Sequence, residues 1–224
     1  MKRTPQVVEA DGLLSRVTIY EVGPRDGLQN ESAIVPVDVK AEFVNRLVTA
    51  GLQTIEVTSF VHPKWVPQLA DAEQLIDVLD MTAAPRMPVL VPNERGLERA
   101  LEKGLREIAI FGSATETFAQ RNLNRSLDGQ FEMFEPVVRR ARGAGMRVRG
   151  YLSMCFGDPW EGDVPVDQVV SVGRRLFDLG CDELSLGDTI GVGTPGHVEA
   201  VLTGFLDAGL TLEQIGVHFH DTYG

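Results

Sequence analysis

The chain has 224 residues, 43% of them hydrophobic and 24% charged, and a formal net charge of -11. That is enough chain for one domain with a sizeable core, while the acidic excess denies it the concentrated basic face that nucleic acid demands. With two cysteines, Cys155 and Cys181, no apolar leader evident in "MKRTPQVVEADG" and no run near the roughly 20 apolar residues of a membrane span, neither a disulfide-stapled secreted fold nor a membrane-spanning one is expected, and the cytoplasm is the expected compartment.

Short β-rich runs alternate with helical periods. The first run, "VTIYEV" at 17 to 22, leads into "GPRDGLQNE", which is neither a GxGxxG loop nor a Walker sequence. A helix follows, in which Val39, Phe43 and Leu47 recur every four residues beside Val44 and Val48, with Gly51 just past its end. The second run, "TIEVTSF" at 54 to 60, carries Glu56 and Ser59. Further runs are "MPVLV" at 87 to 91, "EIAIF" at 107 to 111, "RVRGYL" at 147 to 152 and "DELSL" at 182 to 186, the last followed by Asp188. "TPGHVEAVLTGFLDAG" reads as a capped helix, with Thr194 as N-cap, Pro195 at the first helical position and Gly209 closing it. The seventh run, "GVHFH" at 216 to 220, ends in two histidines.

Regular strand and helix alternation at about 30 residues per unit implies parallel strands joined by right-handed crossovers. An open nucleotide-binding sheet should carry a glycine-rich loop after its first strand, which is missing. A TIM (β/α)8 barrel should gather polar side chains at the C-terminal ends of many strands, and this sequence does so at Arg25, Asp26, Glu56, Ser59, Asp188, His218 and His220. Seven strands are counted where a barrel has eight. The expectation is therefore a single catalytic barrel domain over 1–224, incomplete at its C-terminus, with unpaired edges on strands one and seven; a complete seven-stranded open sheet is the alternative.

Side chains alternate along a strand, so His218 and His220 share one side and Phe219 takes the other. Two imidazoles on rigid backbone make half a metal site, and Asp26, at the end of strand one, can complete a mixed nitrogen and oxygen set. Such ligands leave room for water and substrate and suit Mg²⁺ or Mn²⁺, with Zn²⁺ as the alternative.

Four segments, "YEVGPRDGLQNE" at 20 to 31, "IEVTSFVHPKWVPQ" at 55 to 68, "LSLGDTIGVGTPG" at 184 to 196 and "VHFHDTYG" at 217 to 224, closely resemble HMG-CoA lyase, a family within the barrel metal-dependent lyases and aldolases. The resemblance runs along essentially the whole chain. It implies cleavage of 3-hydroxy-3-methylglutaryl-CoA to acetoacetate and acetyl-CoA, with Asp26, His218 and His220 as metal ligands and Arg25 gripping the substrate carbonyl and its enolate. Catalytic work then falls to Arg25, Asp26 and His218; Arg25, Gln29 and Glu56 meet substrate; Glu56 and Asp188 orient the groups around them. The family's further Asn ligand and mobile-loop Cys lie beyond Gly224, and neither Cys155 nor Cys181 falls at a matching position. The partner implied is a small acyl-CoA, with no nucleic acid or membrane, and a homodimer is compatible. Alternatives are a related aldolase or acyl-CoA condensing enzyme of the same fold, or an inactive truncated fragment. Arg121 and Arg125, after strand four, are candidates for CoA phosphates or simply solvated; His62 and His197 are read as structural.

Overall fold

A computed structural model describes residues 16–222. The segment on which the reading of no leader rests, and the last two residues, lie outside the described residues. In chain order the described elements are β1 (Tyr20–Glu21), α1 (Val37–Thr49), β2 (Thr54–Ile55), β3 (Thr58–Ser59), α2 (Ala72–Val78), β4 (Val89–Leu90), α3 (Glu94–Glu102), β5 (Glu107–Ser113), α4 (Glu116–Leu123), α5 (Gly129–Gly143), β6 (Arg147–Ser153), α6 (Val166–Leu179), β7 (Glu183–Asp188), α7 (Pro195–Asp207) and β8 (Ile215–Phe219).

Every strand pairing is parallel, β1 with β2 and then β3-β4-β5-β6-β7-β8 in chain order. The run expected at 54 to 60 is divided into β2 and β3, yet its backbone stays bonded on both sides: Glu56 N–H donates to Glu21 O at 2.8 Å and Val57 N–H to Pro88 O at 3.1 Å. Pro88 has no N–H to return, which thins the ladder there. The seven sequence-level strands are thus all present, and the fold is a TIM barrel left unclosed, since among the described residues β1 and β8 each have one neighbour. Val17, Ile19, Val217 and Phe219, exposed by 74%, 59%, 43% and 45%, flank that seam.

The core sits between the sheet and its helices. Ile55, Ile108, Ile110, Leu97, Leu152, Phe134 and Phe205 are all buried, and each such side chain contributes about 1.5–3 kcal/mol of burial. A smaller cluster of Leu90, Ala109 and Tyr151, with Val61 and Phe111 against it, fills the barrel interior. Both cysteines are free and buried; burial pushes the Cys181 thiol up to about 12 and Cys155 higher still, so each behaves as a small apolar group.

Two helices show how far the local pattern reaches. In α7 the Thr194 side chain accepts from His197 N–H at 3.4 Å, Pro195 opens the helix, and Gly209 closes it at φ +89°, as the sequence pattern implies. In α1 the buried stripe is Lys40, Ala41 and Val44, while Val39 is exposed. The face is turned from the expected one because Lys40 reaches inward to a carboxylate, Asp71 Oδ1, at 2.7 Å and to the carbonyl of Gln68. Among the described residues no helix is long and apolar enough to cross a membrane.

The N-terminal floor of the barrel is closed by charge. Arg86 binds Glu107 and, at 2.5 Å, Glu183 Oε1; Arg149 Nη1 meets the same oxygen at 2.9 Å. Burial pushes the Glu183 carboxyl up, but the Arg86 hydrogen bond and the two guanidinium charges outweigh it and hold its pKa below the usual value. The opposite rim carries the groups picked out by the sequence.

Candidate metal centre and active site

Strand β1 delivers Arg25 and Asp26 through a tight turn. The N–H groups of Arg25, Asp26 and Gly27 all converge on Val22 O, at 3.1, 2.7 and 3.4 Å. Gly23 leaves room at its start: a Cβ there would meet Glu21 Oε1 at 2.7 Å and the Phe43 ring at 3.3 Å, so the Glu21 carboxylate that accepts Gly23 N–H would have to shift. Pro24 fixes the next φ. The turn leaves Arg25 7% exposed, facing the barrel interior.

Arg25 is held on two edges. Its Nε donates to Glu56 Oε1 at 2.5 Å and its Nη1 to Asp26 Oδ1 at 2.6 Å. Burial alone would lower its pKa; Glu56, followed by Tyr151 and Asp26, raises it instead, so the guanidinium stays charged. Glu56 is fully buried in the second strand and also accepts from two phenols, Tyr151 at 2.7 Å and Tyr20 at 3.2 Å.

Across the seam, β8 presents its histidines as the alternation requires. His218 Nε2 lies 3.7 Å from Asp26 Oδ2, and the His218 and His220 rings meet edge to face with centroids 4.9 Å apart. Asp26, His218 and His220 each offer one ligand atom, all within 4.8 Å of one another. His220 Nδ1 is 2.8 Å from Thr189 O, which as a carbonyl can only accept. The proton is thereby fixed on Nδ1 and the Nε2 lone pair is left free, the arrangement a histidine ligand needs. Burial lowers the His218 pKa most strongly; Asp26 opposes this, while His220 and Arg25 act with it. One carboxylate and two imidazoles form a mixed donor set that suits a divalent cation of intermediate hardness and leaves positions for other ligands.

Asp188 makes no hydrogen bond or ion pair with Arg25 or the three candidate ligands. Its oxygens accept Val192 N–H at 2.9 Å and Gly193 N–H at 3.1 Å, shaping the loop after β7 whose Thr189 carbonyl receives His220. The same Thr189 hydroxyl accepts Met154 N–H at 2.8 Å, where Met154 takes φ 61° at the end of β6. Gly191, at φ +69°, packs so closely that a Cβ would fall 2.1 Å from Thr222 Oγ1. Gln29 is exposed on the turn after β1, with no hydrogen-bond partner among the described residues. Ser59 Oγ accepts Val61 N–H and remains within the second strand. Arg121 lies over the Trp160 ring at 4.5 Å, Arg125 donates to the carbonyl of Asn124, His62 accepts Lys64 N–H, and His197 stacks edge-on to Phe156.

Sequence reasoning missed Tyr20 and Tyr151. For Tyr151 the available signal was its shared parity with Arg149 along β6; Tyr20, on a different strand, offered none.

A family model described as HMGL-like matches residues 16–224. Two curated rat (Rattus norvegicus) proteins are similar along nearly the whole chain. One, named 3-hydroxy-3-methylglutaryl-CoA lyase, cytoplasmic, is 47% identical over 216 residues, 96% of this chain and 63% of its own length. The other, named Hydroxymethylglutaryl-CoA lyase, mitochondrial, is 48% identical over 212 residues, 95% of this chain and 65% of its own. The chain thus spans less than two thirds of either relative. Among solved structures, an HMG-CoA lyase from Acenitobacter baumannii in complex with coenzyme A and 3-methylmalate superposes with a TM-score of 0.87 at 33% identity, covering 92% of this chain and 67% of that one.

Proposed function

The chain belongs to the HMGL-like family, and from that premise we propose that it is a divalent-metal-dependent carbon-carbon lyase cleaving 3-hydroxy-3-methylglutaryl-CoA to acetoacetate and acetyl-CoA. The observation that carries the reading is the approach of Asp26, His218 and His220 within 4.8 Å beside a buried, doubly anchored Arg25. The whole of 1–224 is read as one catalytic barrel domain. An acyl-CoA substrate is supported by the relative solved with coenzyme A.

Asp26, His218 and His220 would hold the cation, proposed to be Mg²⁺ or Mn²⁺ with Zn²⁺ as the alternative, and its chemistry is to polarise the tertiary hydroxyl so that its proton leaves readily. Asp26 or His218, which bracket the centre, accepts that proton. As the bond between the hydroxyl-bearing carbon and the thioester's α-carbon breaks, its electron pair moves onto the thioester oxygen. Arg25 meets that oxygen with a charge that titration cannot remove, in an interaction that strengthens toward the transition state. Collapse of the enolate with return of the abstracted proton to the α-carbon completes acetyl-CoA. Glu56 keeps Arg25 turned toward the reactants, and Gln29, open on the same turn, is read as a substrate contact. Asp188 serves the ligands through the Thr189 loop. The cytoplasm remains the proposed compartment, supported by two free cysteines, and a homodimer the proposed assembly.

The test is turnover of HMG-CoA by the full-length protein with Mg²⁺, compared with Arg25→Met. A fall on the order of a hundredfold or more is expected; unchanged turnover removes Arg25 from the reaction. Mn²⁺ binding followed by electron paramagnetic resonance should weaken at least tenfold in His218→Ala, and undiminished binding would take His218 out of the ligand set.

A further inference from the structure

Glu56 is fully buried, and an ionised carboxylate in that position is tolerable only when its lone pairs are matched by donors. Three donors do so from three parts of the chain. Oε1 takes Arg25 Nε at 2.5 Å, and Oε2 takes the Tyr151 hydroxyl at 2.7 Å and the Tyr20 hydroxyl at 3.2 Å.

We propose that Tyr151 and Tyr20 are positioning residues which brace Glu56 and thereby decide where the free edge of Arg25 points; the proposal rests on the role given to Arg25 above. Tyr151 stands on β6, which is not a sheet neighbour of the second strand, so its bond to Glu56 spans the barrel interior as a strut rather than running along a ladder. Its ring also lies 5.4 Å from the Arg25 guanidinium carbon. Tyr20 braces from the other side and is itself clamped, its ring 3.9 Å from the Arg149 guanidinium carbon, which is tied in turn to Glu183 on the barrel floor. That stacking also gives the Arg149 guanidinium a favourable face where its Nε, buried, has no hydrogen-bond acceptor.

Arg25 spends Nε on Glu56 and Nη1 on Asp26, and among the described residues Nη2 has no hydrogen-bond acceptor. Were Glu56 free to rock, that remaining edge would swing with it. A guanidinium is useful to a developing oxyanion only if it is aimed before charge appears, and displacement by about 1 Å costs on the order of a hundredfold. Burial, with Tyr151 and Glu56 adding for Tyr20 and Glu56 for Tyr151, raises both phenol pKa values, so both hydroxyls remain donors at any working pH.

Tyr151→Phe and Tyr20→Phe keep the rings and remove only the hydroxyls, which separates bracing from space filling. In the full-length protein, Tyr151→Phe should lower kcat about tenfold to a hundredfold and Tyr20→Phe less, with KM and Mn²⁺ affinity each within about twofold of the parent. In an Arg25→Lys background the Tyr151→Phe loss should disappear, because the group being aimed is gone. Loss of equal size in both backgrounds, or a rise in KM with kcat intact, overturns the proposal. A second arm needs no substrate: the Arg25 Nε–H signal in a nitrogen-15 correlation spectrum, assigned by its loss in Arg25→Lys, should shift and exchange faster with water in Tyr151→Phe. An unmoved signal overturns the strut whatever the reaction. A moved signal, alongside an Arg25→Met variant of unchanged turnover, upholds the strut and sinks the lyase reading instead.

Discussion

Between β5 and β6 seven successive residue pairs, Glu107↔Arg147 through Ser113↔Ser153, hold one wall of the barrel, whereas among the described residues β1 meets β2 through only Tyr20↔Thr54 and Glu21↔Ile55, and β8 has a neighbour on one side alone. The candidate ligands all stand on the second, open side: Asp26 beyond the briefly paired β1, and His218 and His220 at the end of β8, which is paired with β7 alone. The wall contributes what an edge cannot, a fixed reference, and Tyr151 carries that reference across the interior to Glu56. Stability and chemistry are therefore divided by position around the barrel as well as by floor and rim.

Substitutions can test that division. Phe134, 1% exposed and packed edge-on against Phe111 with centroids 5.9 Å apart, belongs to the wall; Phe134→Ala should cost about 3–5 kcal/mol in chemical denaturation, and a loss below about 1 kcal/mol would show the wall is not where stability resides. Glu183→Gln on the floor should cost roughly 2–3 kcal/mol at neutral pH, since it takes the carboxylate from Arg149 and leaves Arg86 with Glu107 alone. Because the folded protein holds this carboxyl below its usual 4.5, the contribution is whole above that pH and shrinks as pH falls through the folded value. The gap between parent and variant should narrow in acid; a gap that widens would contradict the assignment.

Smaller effects belong to single caps and to the seam. Thr194→Ala removes the acceptor for His197 N–H and should cost about 1 kcal/mol, read as a lowered thermal midpoint. Phe219→Ser, on a residue 45% exposed at the open edge, should stay within about 0.5 kcal/mol. A cost as large as that of Phe134→Ala would erase the contrast between the two sides.

How much of this could be read beforehand followed the range of each interaction. The shared face of His218 and His220 needs only the two-residue period of a strand, and Thr194, Pro195 and Gly209 bound α7 by local chemistry, so both were legible. The meeting of Asp26 with the histidines required the barrel topology and followed once the strands were counted. Lys40 was not legible, because a helical stripe of apolar residues does not announce a lysine whose partner, Asp71, lies 31 positions away. Tyr151 is 95 positions from Glu56 and its bond crosses the interior; only the register of intervening strands brings them together. The division of the second strand into β2 and β3 depends on what pairs at Pro88, again a property of the neighbour.

The loop after β7 and the residues beyond β8 interlock at Gly191, where a methyl group would occupy the space of Thr222. The same loop supplies the carbonyl that selects the tautomer of His220. Alanine at 191 would therefore act as a wedge driven between two segments that must close together, and the injury would surface far from the wedge itself, as an imidazole free to carry its proton on the wrong nitrogen.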